Sequence, residues 1–311
     1  MTAPRAARAA HAGAPDPISG RWLRACAIAL FVACGVVTCT RSRGPQDPPA
    51  ARRIVSIGGP ITETVFALGE GARVVAVDTS SVYPPEVTHL PQIGYQRTLS
   101  AESVLALAPD LVLASADAGP PAALAQLRAA GVAVEVMPAA MTPDAAARRI
   151  EAIGAALRTN PLAIELADQL RRATRAAHER HATAPPRVLN AVLVYARGAG
   201  TTMVAGSDTP GAAMLELAGA HNAAAGFSGF KPLSAEVLVQ SAPDVIVIPT
   251  RGLATLGGER GLLALPGVAE TPAGRARRFV AMDDLLLLGF GPRLGAAIDE
   301  LSSRMAGETG S

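Results

Sequence analysis

Two residues in this chain have types and a spacing that invite chemistry: the phenol of Tyr95 and the guanidinium of Arg97. In an extended segment, side chains two positions apart share a face, so the arginine would stand beside the tyrosine oxygen. A phenol titrates near pH 10, and a phenolate at neutral pH requires such a positive neighbour. Both residues lie in the stretch Gly94-Tyr95-Gln96-Arg97, within a chain that is only 3% aromatic. Taken alone, the pair also fits a tyrosine packed in a loop beside a solvated arginine.

Other chemistry is poorly supplied. Gly226-Phe227-Ser228-Gly229-Phe230 fails the nucleophile-elbow pattern at its last position, and the chain has neither a P-loop nor a His-Glu-x-x-His motif. His178 and His181 read as the polar face of an amphipathic helix rather than a metal site, and Asp283-Asp284 as a turn rather than an acid/base pair. Cys26, Cys34 and Cys39 all fall near the start, so the body has no disulfide framework, thiol nucleophile or thiolate metal site. A formal net charge of +2 gives no basic face for nucleic acid. A chain that is half apolar, 17% charged and of mean hydropathy +0.29 can bury a core, which argues against disorder. The expectation is a binder, not an enzyme.

The leader has the form of an export signal. Arg21 and Arg24 precede an uncharged apolar run at 25–37, too short for a membrane span of about 20 residues. Phe31-Val32-Ala33-Cys34 and Val36-Val37-Thr38-Cys39 each loosely resemble a lipoprotein box, so Cys34 and Cys39 are candidate lipid anchors. Residues 1–39 are assigned to the signal and 40–52 to a flexible linker.

The remaining elements must position Tyr95 and Arg97. Short apolar strands at 53–57, 74–77, 111–114 and 133–137 alternate with helices at 61–68, 102–107 and 121–130. This is the pattern of βα units and a mainly parallel sheet. A long helix is predicted from Asn160 to about His181, with Leu162, Leu166 and Leu170 as its apolar stripe. A second series follows: a strand at 188–195, helices at 212–218 and 235–240, a strand at 245–248 and a helix at 295–304.

The two series are related. Gly94-Tyr95-Gln96-Arg97-Thr98-Leu99-Ser100-Ala101-Glu102 is echoed by Gly229-Phe230-Lys231-Pro232-Leu233-Ser234-Ala235-Glu236, one residue shorter. Each glutamate is followed, at the same offset, by Ala-Pro-Asp and an apolar strand. The fold class is therefore α/β: two Rossmann-like lobes with mainly parallel sheets, joined by a single long backbone helix. The N-terminal lobe is placed at 53–158, the connecting helix at 159–184 and the C-terminal lobe at 185–311. Two lobes leave a cleft, with the paired Gly-aromatic loops on opposite walls.

From about Arg53 onward the chain resembles the haem-binding substrate proteins of ABC importers, within the cobalamin-and-siderophore class of periplasmic binding proteins. The likeness is carried by Ile54-Val55-Ser56-Ile57 with Thr62-Glu63-Thr64, by the two repeated stretches, by Leu217-Ala218-Gly219 with Asn222, and by Leu288-Gly289-Phe290-Gly291-Pro292-Arg293. The Gly-Tyr-x-Arg stretch and the Gly-Phe-Gly-Pro-Arg ending point more specifically to haem, with cobalamin or a ferric siderophore as the alternative cargo.

The resemblance implies a periplasmic, monomeric protein that carries ferric haem to a permease dimer and, indirectly, its ATPase. It implies Tyr95 as the axial iron ligand, a role open to tyrosinate, with Arg97 supporting the phenolate. Phe230, the aromatic counterpart of Tyr95, would pack on the haem. Arg197, Lys231 and Arg251 are candidates for the propionates, although each also fits a solvated surface charge. Glu102 and Glu236, equivalent in the repeats, would dock one permease subunit each. Tyr83, Tyr195 and His221 are expected to lie away from the iron.

Overall fold

The structure, a computed structural model, describes residues 51–182, 188–197 and 201–307. The leader, both candidate lipidation sites and nearly all of the linker lie outside the described residues. Among the described residues, no helix is long and apolar enough to cross a membrane.

The first lobe holds β1 (Ile54–Ile57), α1 (Gly59–Ala67), β2 (Val74–Val77), α2 (Ala101–Leu105), β3 (Leu111–Ser115), α3 (Pro121–Ala129) and β4 (Ala133–Met137). Its strands form one parallel sheet in the order β2-β1-β3-β4. β1 is buried at every position, and its one polar side chain, Ser56, is hydrogen-bonded to the Thr62 hydroxyl.

Two helices then bridge the lobes: α4 (Pro143–Leu157) and α5 (Asn160–Ala182), the latter about 35 Å long. α4 has no counterpart in the elements expected from sequence, although its signals are present. Thr142 caps it by accepting from the Ala145 N–H, Pro143 opens it and Asp144 sits in its first turn. On α5 the buried stripe is Ala163, Ala167, Leu170, Thr174 and Ala177, whereas Leu162 is 52% exposed. The leucine stripe read from the sequence is therefore rotated, because small residues face the neighbouring helices. A side chain on Gly154 would strike Ala163, and one on Gly295 would strike Ala173, so small residues set the close approach of these helices.

The second lobe comprises β5 (Asn190–Arg197), β6 (Thr201–Ala205), α6 (Pro210–Leu217), β7 (His221–Asn222), β8 (Phe230–Pro232), α7 (Ala235–Ser241) and β9 (Val245–Pro249). It continues through α8 (Thr250–Thr255), α9 (Glu259–Leu263), α10 (Pro272–Ala276), β10 (Phe279–Met282), α11 (Asp284–Leu288) and α12 (Leu294–Ala306). Its sheet runs β10-β9-β5-β6-β8, with β7 also on β5. The β5–β6 and β6–β8 pairs are antiparallel, so this sheet is mixed where the first is wholly parallel. β6, β8 and β10 are short and partly exposed, and their sequences carry no clear alternation that would reveal them.

The internal repeat survives at the level of single hydrogen bonds. Ser100 and Ser234 each cap the helix that carries the matched glutamate, accepting from Ser103 and Val237 N–H groups. Ala108 and Ala242 both adopt left-handed φ, of 44° and 41°. Asp110 accepts from the Arg52 and Arg53 N–H groups ahead of β1, and Asp244 accepts from the Asn190 N–H at the start of β5. Those backbone donors hold the Asp110 carboxyl below the usual carboxylate range.

Candidate ligand-binding cleft

A cleft of about 640 Å³ opens between the lobes, lined mainly by loops and helix starts that follow the parallel strands. This is where open α/β sheets place ligands, since chain connections there diverge and leave a crevice. The first wall carries Thr79, Ser80, Tyr95, Gln96, Arg97 and the loop Ser115-Ala116-Asp117; the second carries Tyr195, Phe230, Arg251 and Asp284.

Tyr95 is half-buried and enters the cleft from a loop that is laced to its surroundings. Gly94 takes a φ of 90° with open space around it, and its carbonyl accepts from the Thr79 N–H at 3.0 Å. Ser115 Oγ donates to Gln96 Oε1 at 2.8 Å. The Gly119 N–H donates to the Gln96 carbonyl, and the Leu99 N–H donates back to Gly119. Arg97 meets Asp117 at 2.6 Å, both side chains being more than half exposed. The loop following β3 thus serves as a template for the loop bearing Tyr95.

On the opposite wall Phe230 is 37% exposed, and its ring centroid lies 5.8 Å from that of Tyr195 at a tilt of 52°. This tilted pair gives the second wall an aromatic surface. Tyr195 corrects the expectation drawn from sequence: it sits near the end of β5, but it is half-buried in the cleft lining. Strand alternation explains the placement of Lys231. Phe230 turns into the cleft, and the next side chain on β8 turns away, setting Lys231 Nζ 4.8 Å over the Phe227 ring. Lys231 therefore lies outside the lining.

Arg251, at the start of α8, does line the cleft, and its N–H donates to Asp284 Oδ1 at 3.3 Å. Burial raises the Asp284 carboxyl above its ordinary value. Arg197 ends β5, but its side chain lies outside the described residues. His221 is exposed on β7, outside the lining. Tyr83 is also outside it, stacked 3.5 Å from the Arg293 guanidinium. Glu102 and Glu236 are exposed, each the second residue of its short helix.

Among the described residues no cluster of three or more His, Cys, Asp or Glu could hold a metal ion. His181 and Arg180 instead share Asp299. Sequence reasoning missed Arg149, a buried arginine on α4 that lines the cleft, because α4 itself went unrecognised.

The family model described as periplasmic binding protein matches residues 54–286. The chain belongs to the periplasmic binding protein family. This binding protein is 30% identical over 260 residues to an ABC transporter substrate-binding lipoprotein of Bacillus subtilis, covering 83% of this chain and 81% of that one. Among solved structures it is similar to the periplasmic haem-binding protein RhuT of Roseiflexus sp. RS-1, at 44% identity and a TM-score of 0.81, covering 83% of this chain and 99% of that one. It is also similar to a periplasmic haem-binding protein of Pseudomonas aeruginosa, at 35% identity and a TM-score of 0.75, covering 84% and 94%. A vitamin B12-binding protein of Vibrio cholerae matches at 36% identity, over 33% of this chain and 37% of its own length.

Proposed function

We propose that this periplasmic binding protein captures ferric haem in the inter-lobe cleft and delivers it to an ABC importer. The observation that carries the reading is Tyr95, presented half-buried at the cleft wall with Arg97 two residues away and an aromatic wall opposite. Ferric iron takes a phenolate oxygen as axial ligand, the guanidinium favours the ionised phenol, and the facing rings suit a flat macrocycle. The likeness to haem-binding proteins along most of the chain supports the same cargo.

In this reading Tyr95 is the iron ligand, Phe230 and Tyr195 pack on the macrocycle, and Arg251 is a propionate partner. Arg197 stays a propionate candidate through its place at the end of β5, whereas Lys231 does not. Glu102 and Glu236 are the permease contacts, one per lobe, and the mature protein works outside the cytoplasmic membrane as a binder rather than an enzyme.

The test is the absorption spectrum of the purified protein with added ferric haem. A Soret band with tyrosinate-type charge-transfer features, lost in Tyr95→Phe, is the expected result. A protein that leaves haem unbound but takes up cobalamin or a ferric siderophore would overturn it.

A further inference from the structure

The floor of the cleft contains a cation with no role in the site as described so far. Arg149 is 6% exposed, projects from α4 and lines the cleft near Met141 and Leu288. Its Nη2 donates to two backbone carbonyls, Gly289 at 2.9 Å and Phe290 at 2.7 Å. Its Nε–H is buried and has no hydrogen-bond partner.

The charge nearest to it is engaged elsewhere. The carboxylate that acts on Arg149 electrostatically is Glu63, itself 4% exposed. Both Glu63 oxygens are already taken by Arg293, at 2.9 and 3.1 Å. Glu63 is thus held directly by Arg293, which Asp283 also attracts, whereas Arg149 is met only by the two backbone carbonyls. Burial pulls the Arg149 pKa down to about 10, with Glu63 opposing the shift. A buried cation without an anion is costly, and a free N–H left beside it adds to that cost. Two backbone carbonyls alone could be served by a smaller or neutral donor. An arginine here is explained by an anion that arrives with the ligand.

We infer that Arg149 is the receptor for a carboxylate of the bound ligand at the cleft floor. This deepens the haem reading and rests on it. The ligand class becomes a flat macrocycle that carries carboxylate arms, and one propionate enters first, towards α4. A corrinoid, whose side arms are mostly neutral amides, gains nothing from such a cation, so Arg149 contributes to specificity as well as to affinity.

The test compares ferric haem with its dimethyl ester, in which both propionates are neutral, on the full-length mature protein. Wild type is expected to bind the ester at least about tenfold more weakly than haem, the range of a charge-assisted hydrogen bond. Arg149→Gln should weaken haem binding several-fold and leave ester binding unchanged, so that the preference narrows to what Arg251 contributes. Its tyrosinate charge-transfer band should stay in place, which separates this effect from a disturbance at Tyr95. Arg149→Lys keeps the charge without the fork and should retain part of the preference; it decides the matter if the glutamine variant does not fold. An Arg149→Gln protein with the wild-type haem-to-ester ratio, or a wild type indifferent to esterification, overturns this inference while haem binding stands. A wild type that binds neither porphyrin overturns the haem reading itself.

Discussion

Arg97 and Asp117 meet at 2.6 Å on the lip of the cleft, joining the loop that carries Tyr95 to the loop that follows β3. The segment between Tyr95 and Arg97 is a turn, closed by the Thr98 N–H on the Tyr95 carbonyl at 2.9 Å, and not the extended stretch expected from sequence; the haem reading has Arg97 support the phenolate from this position. Removing Arg97 with Arg97→Ala should disfavour the phenolate, so that coordination to ferric haem is lost at a higher pH than in wild type. Asp117→Asn removes the counter-charge and should move that acid midpoint the other way. Both shifts are expected to be below about one pH unit, because exposed pairs are worth at most about 1 kcal/mol, and both should shrink at high salt. The charge-transfer absorbance followed against pH is the measurement; shifts of the same sign would refute the account.

The two glutamates proposed to dock the permease give a second expectation. Glu102 and Glu236 occupy matched places in the repeat, at the starts of serine-capped helices on separate lobes. Reversing both to arginine should abolish haem uptake by whole cells and leave haem affinity of the purified protein within about twofold, since such rim charges govern orientation and encounter. Normal uptake by the double variant would remove the docking role.

A third concerns the join between the lobes. Glu63 on α1 holds Arg293, 230 residues away, by a two-pronged contact, and the guanidinium also lies on the Tyr83 ring. Glu63→Gln takes from Arg149 the carboxylate that acts on it and leaves Arg293 with Asp283 alone. A loss of about 2–4 kcal/mol in urea unfolding is expected, near the range for breaking a buried pair. A loss under about 0.5 kcal/mol would show that the pair is dispensable.

The fourth is a pH dependence with a definite sign. Hydrogen bonds from the Arg52 and Arg53 N–H groups depress the folded-state pKa of Asp110. A depressed carboxyl stabilises the fold above its unfolded value, near 3.9, and that contribution is lost as pH falls through the folded value. Asp110→Asn should therefore melt below wild type at pH 7, with the gap closing as the pH falls below about 4. A gap that is constant with pH would show that the carboxylate charge plays no part.

Much of this molecule is legible in its sequence. The strands at 54–57, 74–77 and 111–115 declare themselves because a strand covered on both faces is apolar at nearly every position. The repeat is legible because its residues do local work: a serine cap, a left-handed alanine and an aspartate that ties down the neighbouring strand. Tyr95 could be singled out by residue type, whereas the extended spacing assumed for Arg97 gives way to a turn that sends its guanidinium to Asp117. The buried face of α5 was less legible. Its sequence offers both a leucine stripe and an alanine stripe, and only the closeness of α4 and α12 selects the alanines.

What the tertiary structure alone decided is which distant groups share a space. Lys231 leaves the cleft because β8 pairs with β6 in the register that turns Phe230 inward. Tyr195 enters it because β5 runs on to the aromatic wall, and Arg149 because α4 lies under the crevice. The same holds for Glu63 and Arg293, which stand at opposite ends of the chain and meet at the join of the lobes. Periodicity and capping act over a few residues, and the sequence can show them. Strand register, helix approach and the balance of buried charge depend on contacts between segments a hundred or more residues apart, and no local pattern encodes those contacts.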